Sequence, residues 1–547
     1  MKMARVWLWL VALLPAAAAG LWASLGACFP EPWFQRQAYG EMSTRWTFAE
    51  WDAVQAEPWH PIARVLHLAA LQVPGMTIQW TAYANALLAL LLVWCVSGVL
   101  RRSFSLTWSG RAWAFLGVGL LACAPSFGAD WLHGERLGLF LPPLVLAWAL
   151  AVLQCGGGFG WRAAVALVLA ALAPFCHGNG VVVCLALIPP MVEAGRRSGG
   201  GGTLACTIAL PVVGGIAAAF SLHRIGAVGL GDVGLWTRVV DAPLATLDAF
   251  VSRTGLLWMD LLPRTGLDEK VFGAASWLLP FVLWGIGDRS DAARRAAAPW
   301  WGCVWFGLLV VLWNAVRHDL ALDAARWREL TFGAFLLPVG CVGLLAARLG
   351  RDLLPLGGGA LLVLAAQDWQ RGIEDLRLAR MQVDGLESTL LAPQETVGPT
   401  AASQWPVPDP AQIRVLEERG WVPARAQALT PELPAAAKAP PSACGACTRG
   451  NGRAAFGEVR SSLLGDTPQW VVIVAANGDA PARQVGRAQP EFAGAGRSAP
   501  WQVTFDAPLP EGVRVRALGV LTRRAEYVPL GPWFVLRNGE LVAEPGA

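Results

Sequence analysis

Several short stretches of this chain gather the residue types that move protons and hold phosphates. The first runs from Cys28 to Trp80 and carries Glu31, Glu41, Glu50, Asp52 and Glu57, with Arg36, Arg45, Arg64, His60 and His67. Aromatic residues are interleaved with them: Trp33, Phe34, Trp46, Trp51 and Trp59. A carboxylate in such a setting can take the proton of an attacking hydroxyl, and Glu31 and Asp52 are the candidates for that role. A second stretch, Asp130-Trp131-Leu132-His133-Gly134-Glu135-Arg136, is tight and polar between two apolar runs. A third, Phe175-Cys176-His177-Gly178-Asn179-Gly180, is shorter, and its glycines allow the backbone to approach a ligand or a neighbouring helix. The last is Arg317-His318-Asp319 followed by Arg326, Arg328 and Glu329. An arginine fork matches the oxygens of a phosphate.

The elements that position these stretches follow from hydropathy. Of the residues, 55% are hydrophobic and 15% charged, whereas soluble domains carry about 25% charged residues. A bilayer core needs about 20 apolar residues per helix. Runs near 5–27, 80–100, 111–128, 137–154, 162–177, 180–194, 203–222, 270–287, 299–316, 329–347 and 352–367 meet that pattern, which predicts an all-α polytopic membrane bundle of about eleven transmembrane helices. Residues 61–73 are too short and polar to span and read as an amphipathic helix at the surface. The N-terminal run, after Lys2 and Arg5, reads as an uncleaved first span, with a signal peptide or a lipoprotein box at Leu25-Gly26-Ala27-Cys28 as the alternatives.

Arginines in short loops orient the bundle. Lys2 and Arg5 place the N-terminus inside, and Arg101, Arg102, Arg196, Arg197, Arg289, Arg294, Arg295, Arg348 and Arg351 then fall inside as well. All six histidines, His60, His67, His133, His177, His223 and His318, fall outside. Residues 1–367 form the membrane domain, 368–456 a polar and Pro/Ala-rich linker, and 457–547 a small C-terminal β-sandwich on the outside. Strands are expected at Trp470–Ala475, Trp501–Phe505 and Val513–Val520, and hairpin turns at Asn477-Gly478 and Asn538-Gly539.

Other classes are disfavoured. The net charge of +4 does not point to nucleic acid, and the chain has no phosphate-binding loop or dinucleotide fingerprint. Cys444-Gly445-Ala446-Cys447 is a CxxC pair without further Cys or His in the tail to complete a zinc site; a disulfide, a redox pair and an idle pair all remain open. No cofactor is assigned, and a divalent metal is possible.

Over residues 1–370 the order of parts resembles the membrane glycosyltransferases of the C superfamily, which use polyprenyl-phosphate-linked sugars. Glu31 stands where that family has an acidic residue after the first helix, although relatives usually show Asp, often doubled; Asp52 is therefore its rival. His60-Pro61 with Arg64, Asn85 after Pro74-Gly75, Trp131 to Arg136, Phe175 to Val183 and Arg326-Trp327 are similar to further family motifs. The resemblance implies a transferase in the bacterial cytoplasmic membrane with its site on the periplasmic face. Its partners would be a polyprenyl-phosphate-linked sugar, a glycan or protein acceptor and the bilayer. The substrate-binding residues it implies are His60, Arg64, His133, Glu135, Arg136, His177, Asn179, His318, Arg326 and Arg328. A lipid-linked sugar flippase or transporter, and a non-catalytic scaffold, are the competing classes.

Overall fold

The computed structural model describes residues 2–26, 61–71, 73, 77–156, 158–197, 203–227, 243–259, 269–286, 288–317, 331–391, 437–442, 444–460, 467–468, 470–477, 482–488, 490, 498–505, 507–521 and 526–544. They divide into two compact units, one reaching Asp375 and the other beginning at Leu376.

The first unit is helical. Its helices are α1 (Lys2–Ala12), α2 (Leu14–Ser24), α3 (Pro61–Leu71), α4 (Ile78–Phe104), α5 (Trp108–Ala122), α6 (Ala129–Leu132), α7 (Leu137–Leu153) and α8 (Phe159–Cys176). These are followed by α9 (Val181–Ala186), α10 (Ile188–Arg197), α11 (Thr203–Ala227), α12 (Pro243–Met259), α13 (Glu269–Gly285), α14 (Asp291–Arg317), α15 (Leu336–Leu349) and the first part of α16 (Leu354–Leu391).

The burial of these helices is that of a membrane protein. Along α4, Ala82, Ala86, Ala89, Val93, Val96 and Leu100 are buried, while Trp80, Tyr83, Leu87, Leu91 and Trp94 are exposed at helical spacing. Along α11, Leu204, Ile208, Val212 and Ile216 form a second exposed apolar stripe. Water does not tolerate such contiguous apolar faces, whereas lipid does. Helix contacts inside the bundle rely on small residues. Gly340 of α15 lies so close to Val304 of α14 that a Cβ there would sit 2.9 Å from the Val304 backbone nitrogen.

Among the described residues six segments are long and apolar enough to cross a bilayer: Val6–Ser24, Gln79–Phe104, Trp108–Phe127, Phe159–Cys176, Gly178–Arg197 and Asp291–Ala315. These match six of the expected spans; the count of eleven is not supported. The other five expected runs are not among them. α7, α13 and α15 have 17, 17 and 14 residues, about 21–26 Å at 1.5 Å per residue. α11 itself has 25 residues, Thr203–Ala227. In α16 the apolar part gives way to Gln367, Asp368, Arg371 and Glu374 in one continuous helix.

The helix ends sort by side-chain type. At one end Arg102 donates to the Ala151 carbonyl, Gln154 to Ser103 Oγ, Arg197 to the Arg295 carbonyl, and Arg348 to the Asp288 carbonyl. Phe104 stacks on Trp300 at 6.1 Å, tying these ends together. Asp288 accepts from the Ser290 backbone N–H and hydroxyl, which, with Arg348 nearby, hold its carboxyl below the usual range. The opposite end holds every described histidine side chain: His67, His133 and His177. From Arg295 to Asn314 along α14 is about 28 Å by the helical rise, so the two ends are a bilayer core apart.

Among the described residues the second unit carries nine strands: β1 (Gly445–Gly450), β2 (Ala454–Arg460), β3 (Trp470–Ala476), β4 (Arg483–Ala488), β5 (Ser498–Thr504), β6 (Arg514–Leu521), β7 (Glu526–Pro529), β8 (Phe534–Arg537) and β9 (Glu540–Ala543). They form two antiparallel sheets, ordered β1-β2-β5 and β4-β3-β6-β8-β9, with β7 also on β6. Ala455, Val459, Trp501 and Val503 of the first sheet share a core with Val471, Ile473, Val515 and Ala517 of the second, which makes a sandwich. The expected boundary at residue 457 is too late, because β1 and the start of β2 lie within the expected linker. The Asn538-Gly539 turn forms as expected: both residues have positive φ, 52° and 80°, and both N–H groups donate to the Glu511 carboxylate. Gly478 lies outside the described residues.

Candidate active site at the histidine end of the bundle

The loop between α5 and α7 is folded onto α4 by one amide. Asn85, fully buried on α4, donates from Nδ2 to the backbone carbonyls of Asp130 and His133, each at 2.9 Å. Trp131 Nε1 donates to the Ala124 carbonyl at 2.8 Å and closes the loop on itself. Gly134 rests against Thr81 of α4 so closely that any Cβ would collide with the Thr81 side chain and backbone. Beneath the loop, Trp131, Phe140, Phe127 and Phe332 form an aromatic floor, with Phe140 and Phe332 at 4.2 Å and Phe127 and Phe332 at 4.8 Å between ring centres.

On this support sits an ion pair. Arg136 NH1 lies 3.1 Å from Asp130 Oδ1; the Asp130 side chain is 0% exposed and that of Arg136 is 21% exposed. The pair therefore turns its cationic partner toward solvent and keeps its anion inside.

The loop after α8 is anchored differently. His177 accepts the Asn179 backbone N–H on Nδ1 at 3.1 Å, capping the short 3-10 turn Gly178–Gly180. A ring that accepts on Nδ1 carries its own proton on Nε2. Asn179 Oδ1 accepts from Asn314 Nδ2 of α14 at 3.0 Å, and Asn314 also donates to its own Val310 carbonyl. Gly180 passes against the Ala173 carbonyl, where no side chain fits.

α3 joins the same end. Ala63 packs with Leu137, Leu141 and Cys176, and His67 on the next turn is buried. A Cβ on Gly138 would stand 3.3 Å from the Ala63 Cβ and 3.6 Å from His177 Cδ2. α3, α7 and the turn after α8 thus meet at Gly138. The first half of α16 closes the far side of the loop: Asp368 Oδ2 accepts from Ser126 Oγ at 3.0 Å, and Trp369 Nε1 donates to the Leu120 carbonyl at 2.6 Å.

Of the residues selected from sequence, His133, Arg136, His177 and Asn179 come together at this end. Glu31, Asp52, His60, His318, Arg326 and Arg328 lie outside the described residues. So do the side chains of Arg64 and Glu135, although their backbone is placed, in α3 and in the turn Gly134–Arg136. His177 and Asn179 commit polar atoms to locking helices together and act as positioning residues, whereas Arg136 is the cation with a route to solvent. Sequence reasoning did not select Asp130, Asn85 or Asn314 as site residues. Their signal was a polar residue at the mouth of an apolar run, the setting in which membrane proteins place functional side chains. Among the described residues no group of three or more His, Cys, Asp or Glu is gathered to hold a metal ion. Comparison with family models, curated proteins and solved structures finds no match to this chain.

Proposed function

We propose that this chain is a membrane glycosyltransferase that moves a sugar from a polyprenyl-phosphate carrier to an acceptor hydroxyl at the histidine end of the bundle. The observation that carries the reading is the Asp130–Arg136 pair, held at the mouth of the spans by Asn85 and beside the anchored His177 turn. A partly exposed guanidinium at headgroup depth suits a lipid-linked phosphate. An acceptor from water and a donor from the bilayer meet at that depth. Arg136 binds the carrier phosphate, and Asp130 fixes its fork. Arg326, Arg328 and His318 add charge for the departing phosphate. Glu31 or Asp52 takes the acceptor proton.

The orientation that goes with this reading puts the histidine end on the periplasmic side of a bacterial cytoplasmic membrane. Transport is the weaker reading. Transporter sites lie near the midplane on broken helices, whereas Asn85, Asn179 and Asn314 lie near helix ends.

The test uses the full chain in proteoliposomes with a polyprenyl-phosphate hexose and an acceptor glycan. Release of polyprenyl phosphate, lost in Glu31→Gln or in Asp52→Asn by ~10²–10⁴-fold, is the expected result. A bacterial strain lacking the protein should accumulate the lipid-linked sugar. If neither release nor accumulation occurs, the transferase reading fails.

A further inference from the structure

The arginine end carries a feature that the proposed transfer does not use. Between α4, α5 and α7 lies a groove of about 610 Å³ whose lining includes Arg101, Arg102, Arg111, Trp94, Trp148 and Cys155. Three guanidinium groups converge there, and no carboxylate is among the lining residues. Arg102 is fixed, donating to the Ala151 carbonyl at 2.7 Å and to Cys155 Sγ at 3.3 Å. Arg111 lies with its guanidinium 4.3 Å from the centre of the Trp94 ring, and its Nε is buried without a hydrogen-bond partner among the described residues. Arg101 is exposed.

A positive-inside bias explains arginines at this end but not their convergence. Like charges brought together without a counter-charge repel, and burial strengthens the repulsion. A phosphate relieves it, since its oxygens accept from several guanidinium forks at once.

The source of that phosphate follows from the walls. Trp94 and Trp148 are 52% and 54% exposed, and Leu87 and Leu91 continue the exposed face of α4 from Trp94 toward the bilayer centre. The groove lies where the candidate spans Gln79–Phe104 and Trp108–Phe127 meet at the arginine end, which is headgroup depth. Basic pockets between helices on the positive side of a membrane protein hold anionic headgroups.

We propose that this groove binds the phosphate headgroup of an anionic membrane lipid, with the acyl chains running along the exposed apolar face of α4. The site is independent of the transferase reading.

The experiment is native mass spectrometry of the full chain in detergent, titrated with dioleoyl phosphatidic acid, dioleoyl phosphatidylcholine or inorganic pyrophosphate. Phosphatidic acid should be retained at least tenfold more strongly than phosphatidylcholine. The double variant Arg101→Gln/Arg111→Gln should lose at least tenfold of that retention. The control Arg289→Gln, at the same end but outside the groove, should keep it. Equal retention of the two lipids overturns the proposal, as does equal loss in the control, which would mean general surface charge. Pyrophosphate bound as tightly as phosphatidic acid through the same arginines overturns the lipid source. If the double variant fails to fold, Arg101→Gln alone decides, because Arg101 is exposed; unchanged retention there overturns the proposal.

Discussion

Asn314 Nδ2 donates to the amide oxygen of Asn179 at 3.0 Å, joining two buried residues 135 positions apart. One lies at the end of α14 and the other in the turn after α8, so the bond sets where that turn sits relative to the bundle. Inter-helix bonds of this kind in membrane proteins average about 0.6 kcal/mol and reach about 1.7. A double-mutant cycle on Asn179→Ala and Asn314→Ala should give a coupling in that range, read from unfolding in detergent. A coupling of zero would mean that the two amides do not act as one lock.

The ion pair of the candidate site should respond unequally to its two halves. Removing Arg136 leaves the buried Asp130 carboxylate without that cation, whereas removing Asp130 leaves an arginine that already reaches water. Breaking a buried pair on the side that strands a charge costs about 3–5 kcal/mol. Arg136→Gln should approach that cost, and Asp130→Asn should fall well below it. Thermal unfolding of the two variants and of the double variant checks the order. If Asp130→Asn proves the more damaging, Asp130 does more than hold Arg136.

Much of the bundle was legible because apolar runs of about 20 residues have few other uses. Six runs formed as expected, and the arginine and histidine ends separated as the loop charges implied. What stayed hidden was partner choice. α12 is not among the expected spans, and Thr246, Asp248, Ser252, Arg253 and Thr254 break its hydropathy. It forms because Phe250 buries against Val311 and Ala315 with Trp277 beside it, and that packing leaves no local signal. α16 runs through Gly357-Gly358-Gly359; Gly357 is where the helix presses on Val342 of α15, and a Cβ would stand 2.6 Å from a Val342 methyl. Asn314 was passed over for the same reason, since nothing near it in sequence names Asn179.

The two helix ends should label from opposite sides of the membrane. Val73, just beyond α3, is exposed at the histidine end, and Ser105, beyond α4, is exposed at the arginine end. In a chain stripped of its native cysteines, an impermeant maleimide added to intact cells should modify Val73→Cys. It should modify Ser105→Cys only after the membrane is opened. The reverse pattern would invert the orientation and move the candidate site to the cytoplasm. Labelling of both in intact cells would rule out a membrane thickness between them.

The CxxC pair of the β-sandwich gives a prediction in pH. Cys444 and Cys447 are both free thiols packed against the sandwich core. Burial pushes the Cys447 thiol up from 9.0 to about 12, against a smaller lowering by the Arg449 backbone N–H. At pH 8 the thiolate fraction is then on the order of one in 10⁴, against about one in ten for a thiol of pKa 9. Cys447 should alkylate at least tenfold more slowly than an exposed cysteine. The sign for stability follows from the same shift. With the folded pKa above the unfolded one, the folded state keeps its proton while the unfolded chain ionises, so stability is full below pH 9 and falls as pH rises from 9 toward 12. Cys447→Ala should remove that share of the alkaline slope. Rapid alkylation of Cys447 at pH 8, or an alkaline slope unchanged in Cys447→Ala, would show that the thiol is not held in the sandwich core.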